Sequence, residues 1–147
     1  MTIPTSNQIN VTLTVTADAS GNLQYAWSGS TYCDKSGNLT LTQIKGEIQI
    51  TITISTSLQL SYCTPAAQTM WLGLASAGKP TKPYSGGTEF TAPAFVNNSA
   101  GVLQWNDTNS DGNTYQYVLL LWLVSAQYPR GVQIQVDPRI VNRGTSG

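Results

Sequence analysis

The chain has 147 residues, with seven basic and seven acidic side chains and no histidine. Charged residues make up only 10% of it, against about a quarter of an ordinary soluble domain, and Thr, Ser, Gln and Asn do the solvating instead. Such a chain offers no basic track for nucleic acid and no imidazole for a Ser–His–Asp or Cys–His centre, while 40% apolar residues are too many for a disordered chain.

Its length suits one domain, spanning 1–147. The opening segment Met1–Asn7 has neither a basic nor an apolar stretch, so no signal peptide and a cytoplasmic location are expected. From there, period-two alternation dominates. Ile9, Val11, Leu13 and Val15 alternate with Asn10, Thr12, Thr14 and Thr16, and a Ser-Gly-Asn turn at residues 20–22 leads to Leu23, Tyr25 and Trp27. These two stretches predict a hairpin. A second turn at Ser36-Gly37-Asn38 precedes a short strand around Leu39 and Leu41. Ile48, Ile50, Ile52 and Ile54, interleaved with Gln49, Thr51, Thr53 and Ser55, form the clearest strand of the chain. Leu58 to Tyr62 and Met70 to Leu74 are two more. Residues 76–93 carry three prolines and three glycines and predict a long loop. Val102–Trp105 is a short strand, Asn106–Asn113 a turn, and Thr114–Ser125 a long strand. Its apolar run Val118–Val124 has seven residues, far short of the roughly 20 of a membrane helix. The run is expected to be a central strand covered on both faces, with Trp122 in the core. Val132, Ile134 and Val136 follow a turn at Tyr128–Gly131. Together these elements predict an all-β, single-domain antiparallel β-sandwich of about eight to ten strands.

Candidate sites are sparse. Asp107-x-Asn109-x-Asp111-Gly112 places oxygen side chains on alternate residues before a glycine, as calcium loops do, so Asp107, Asn109 and Asp111 are candidate metal ligands. The twelfth position is Val118 rather than a glutamate, which excludes an EF-hand, and an Asx-rich turn explains the same residues. Trp27, Trp71, Trp105 and Tyr115, with Tyr117, are candidates for an aromatic platform that stacks on sugar rings; core packing is the competing role. No acidic pair, nucleotide-binding loop or CxxC stands out, so no catalytic residue is assigned and a non-enzymatic protein is expected. Cys33 and Cys63 each follow a tyrosine; two reduced thiols are expected, although a bridge is conceivable.

The near-absence of charge from strand faces is itself a signal. Ile48–Ser55 has neither charge nor proline. As an edge strand it would invite another chain to pair; in mid-sheet it is harmless. Low charge also leaves little repulsion between copies.

The tail Val136-Asp137-Pro138-Arg139-Ile140-Val141-Asn142-Arg143 stops one strand at a proline, which has no N–H to give, and leaves Ile140 and Val141 to pin the terminus. This Asp-Pro-x-Ile-x-Asn-Arg ending, with the N-terminal hairpin, resembles the DP-EP family of bacterial proteins. The resemblance implies an all-β fold and no particular activity. The leading expectation is a structural or interaction protein that self-associates as a homo-oligomer. The second is a carbohydrate-binding module, with or without calcium.

Overall fold

Alternation along the sequence becomes alternation in space. In the computed structural model, which describes residues 3–85 and 87–143, Ile9, Val11, Leu13 and Val15 are buried while the residues between them face outward. Eleven strands form: β1 (Gln8–Ala17), β2 (Leu23–Ser28), β3 (Leu39–Thr40), β4 (Ile48–Thr56), β5 (Gln59–Tyr62), β6 (Met70–Leu74), β7 (Ala94–Phe95), β8 (Val102–Asp107), β9 (Thr114–Val124), β10 (Val132–Val136) and β11 (Arg139–Val141). Short 3-10 turns punctuate them, and none of the described helical segments is long and apolar enough to cross a membrane.

The strands make two sheets, as an all-β sandwich requires. The first runs β2-β1-β4-β8-β7. In the second, β9 is the axis: β5 and β6 pair in tandem along one of its margins, β10 and β11 along the other, and β3 adds to β11. Most pairings are antiparallel, including the β1/β2 hairpin. The sheets are nonetheless mixed, because β1 runs parallel to β4 and β11 parallel to β3. Long crossovers separate those partners in sequence, so no hairpin turn fixes their direction. Ile48–Ser55 lies between β1 and β8, in the interior of its sheet, which closes the edge-pairing route suggested for that segment.

The core fills the space between the sheets. Ile9 to Val15, Ile48 to Ile52, Leu103 and Trp105 of the first sheet meet Tyr115, Tyr117, Leu119 and Leu121 of β9. Strand β9 is central, and Val118 and Leu120 on its other face are also buried. Trp122 departs from the expectation of a core residue: it is 42% exposed. An apolar run does not choose its face. Position 122 falls on the outward parity of β9, in one row with Ser61 of β5 and Gln133 of β10. The indole rests on Gly131, where a Cβ would overlap the ring and where φ is +90°.

The tail behaves as its sequence indicates. The chain leaves β10 before Asp137-Pro138, and Ile140, fully buried, pins β11 beside β9.

Candidate functional site

Alternation in β8 puts Leu103, Trp105 and then Asp107 on the inward face, so a carboxylate reaches one end of the core. Asp107 is fully buried. Its Oδ1 accepts the Asn109 N–H at 2.8 Å, the Asx turn expected of this stretch, while Oδ2 has no partner among the described residues. The loop after β8 then folds over Glu89, which is itself buried. Glu89 accepts the N–H groups of Ser110 and Asp111 at 2.7 and 2.9 Å and the Ser110 hydroxyl at 2.9 Å. The Asn142 side-chain amide, reaching in from beyond β11, donates to Glu89 Oε2 at 3.1 Å and to Asp111 Oδ1 at 3.2 Å. The Tyr115 hydroxyl donates to Asp111 Oδ2.

All these donors are neutral, so three carboxylates gather with no basic side chain among the described residues hydrogen-bonded to them. Burial pushes the Asp107 carboxyl up to about 8, and the negative charges of Glu89 and Asp111 add to the rise; the Asn109 N–H opposes it. Asp107 is therefore a protonated acid at neutral pH. At Asp111 partial burial acts upward too, but hydrogen bonds from Tyr115, the Asn113 amide and Asn142 outweigh it and hold the carboxyl low.

This arrangement does not assemble the expected metal ligands. Asn109 is a strut: its Nδ2 donates to the carbonyls of Leu41 and Ile44 at 3.2 and 2.8 Å, and its Oδ1 accepts the Arg143 N–H at 2.7 Å. Among the described residues, no three Asp, Glu, Cys or His side chains are placed to hold a metal ion. What the cluster does is tie the β8–β9 loop, the end of the 76–93 loop, the 41–44 turn and the C-terminal tail into one knot.

The four candidate aromatics are scattered. Trp105 is 1% exposed and packs on Tyr117, with ring centroids 5.9 Å apart. Tyr115 is also buried, edge-on to Phe90 at 4.7 Å. Trp105 is closed off in the core, whereas Tyr115 shows only an edge, to a shallow cleft beside Leu74 and Tyr84. Trp71 is half-buried on the outer face of the second sheet, in register with Val118. Trp27 borders an open cleft beside a second exposed aromatic, Tyr25. There β2, the free margin of the first sheet, faces the β10–β11 corner of the second across about 410 Å3. Tyr25, 39% exposed, and Trp27 form one wall; Gln135, Asp137 and Pro138 form the other; the turn at 35–38 closes one end.

That turn is firmly held. Asp34 Oδ1 accepts the N–H groups of Ser36 and Asn38, both at 2.9 Å. Asn38 Oδ1 accepts the Arg139 N–H at 2.8 Å. The hydroxyl of buried Tyr117 donates to the Gly37 carbonyl at 2.8 Å, and the Trp27 ring lies against Gly37, whose φ of +84° and missing side chain the contact requires.

Reading the sequence alone did not single out Glu89, Asn142, Tyr25 or Asp137 as site residues. Parity carried a signal for two of them: Asn142 follows inward-facing Ile140 by two positions, and Tyr25 precedes Trp27 by two. For Glu89, set in an irregular loop, no local pattern marks the role. No family model matches the chain and no curated protein is similar to it in sequence.

Proposed function

We propose that the protein is a non-catalytic interaction domain that associates with further copies of itself along the free margin of β2. The carrying observation is that β2 ends its sheet with six residues, Leu23–Ser28, that include neither a charge nor a proline. Natural sheets blunt such margins with lysine, proline, a bulge or brevity.

Among the other strands that end a sheet, β10 (Val132–Val136) likewise has neither charge nor proline, though it is one residue shorter than β2; several other margins are blunted. β7 and β3 have two residues each, and the β6 margin receives a backbone bond from Leu72 N–H to the Lys82 carbonyl. The outer face beside β2 consists of Thr, Asn, Gln and Ser from β1 and β4, so little electrostatic repulsion opposes approach. A second copy presenting the same margin would satisfy the free backbone groups of both and extend the sheet. The scatter of Trp27, Trp71 and Trp105 also favours this reading over a tryptophan platform.

Sedimentation velocity from micromolar to millimolar protein tests it. The unaltered chain is expected to show a concentration-dependent dimer or larger species, and Ala26→Lys, at an exposed position of β2, to shift it to monomer. A strict monomer throughout the range, or an association untouched by Ala26→Lys, overturns the proposal.

A further inference from the structure

We propose that the cleft between β2 and the β10–β11 corner is a binding site for a neutral saccharide, independently of how copies associate. Three observations converge. The volume of about 410 Å3 lies within the range of small-ligand pockets, about 300–1,000 Å3. Its first wall offers two aromatic rings, Tyr25 and Trp27, and a sugar ring has an apolar C–H face that packs on such surfaces.

Its charged groups are balanced and uncommitted. Lys35 and Asp137 cancel in charge, and no intramolecular hydrogen bond among the described residues engages the Lys35 ammonium, the Asp137 carboxylate or the Tyr25 hydroxyl. Asn38 and Gln135, by contrast, are spent on Asp34, Arg139, Lys79 and Gln133. An ammonium at the end of the cleft and a carboxylate on its wall can each bond a sugar hydroxyl, which both donates and accepts. They give no net attraction to a phosphate or to a polyanion.

The site is also preorganised, which lowers the ordering cost of binding. Tyr117 and Asn38 fix the 34–38 turn from two sides, and the turn holds the Trp27 ring through Gly37. Such a wall is built before any ligand arrives.

The test is a titration of the unaltered protein, followed by amide NMR shifts and tryptophan fluorescence. The probes are soluble hexasaccharides of glucose (β-1,4 and α-1,4), xylose and N-acetylglucosamine, with a proline-rich peptide as a separate arm. At least one hexasaccharide is expected to move the amides of Tyr25, Trp27, Lys35 and Asp137 saturably. Tyr25→Ala, at an exposed position, and the near-isosteric Asp137→Asn are each expected to weaken that binding at least tenfold. Ala26→Lys, which removes self-association, is expected to leave it within twofold. No response to any hexasaccharide at millimolar concentration, binding that survives both cleft variants, or saturable binding of the peptide in their place overturns the inference. None of these outcomes bears on association, whose readout is sedimentation.

Discussion

Asn109 and Arg143 stand 34 positions apart in sequence, yet the Asn109 Oδ1 accepts the Arg143 N–H at 2.7 Å. The other end of the same amide reaches the carbonyls of Leu41 and Ile44. One 3%-exposed side chain therefore joins three stretches of backbone, from a left-handed φ of 60° that asparagine tolerates and alanine does not. Asn109→Ala is expected to destabilise the fold by about 2–4 kcal/mol, the cost of stranding buried backbone groups plus the conformational penalty. Urea unfolding measures it, and a loss below about 0.5 kcal/mol would contradict the strut role.

The buried Asp107 makes stability depend on pH in a direction opposite to ordinary acid denaturation. Folded, it keeps its proton up to about 8; unfolded, it loses it near 4. Between those values the folded state binds the extra proton, so stability falls as pH rises, by at most about 1.4 kcal/mol per unit. Asp18, Asp34 and Asp111, whose carboxyls are held low, act the other way in the acid range: what they contribute above the unfolded pKa is lost as pH drops below it. Asp107→Asn is expected to flatten the decline between pH 4 and 8. Melting temperatures across that window decide it, and identical slopes in the two proteins would rule out Asp107 as the source.

Gly131 supports the exposed indole of Trp122. A Cβ at position 131 would meet both a left-handed backbone and the ring, so Gly131→Ala is expected to cost about 1–3 kcal/mol. The ring's share is separable by a double-mutant cycle: in a Trp122→Ala background the same glycine substitution should cost measurably less. Equal costs in both backgrounds would mean that the backbone alone is responsible.

Both cysteines are free thiols. Burial, with help from the Asp34 charge, pushes Cys33 up to about 11, and burial raises Cys63 as well. Because the thiolate is the nucleophile, alkylation by iodoacetamide at pH 8 is expected to be at least tenfold slower for native than for urea-unfolded protein, with two labels per chain after unfolding. Rapid native labelling of either residue would contradict its assigned environment.

Strand positions were legible in the sequence because a half-buried strand writes its own pattern, as Ile9–Thr16 and Ile48–Ser55 do. The hairpin of β1 and β2 was legible from its turn. Partner choice between distant strands was not: the parallel pairing of β1 with β4 depends on which faces meet after the core closes. Trp122 shows the limit of composition, since a continuous apolar run hides parity. For the site, the Asx turn at Asp107 was legible. Its partners Glu89 and Asn142 were not, because what unites them is a knot made by loops from three parts of the chain.

The tandem arrangement around β9 has a dynamic consequence. β5, β6, β10 and β11 each pair with only part of one margin of β9, so β9 is freed only when neighbours on both margins leave. Amide protons of Val118–Leu121 should therefore be among the last to exchange with solvent, at a free energy equal to that of global unfolding. Since these neighbours are drawn from Gln59 through Val141, the second sheet cannot be completed until nearly the whole chain is present. Loop closure over such separations makes folding slow, on the millisecond-to-second scale of non-local β proteins.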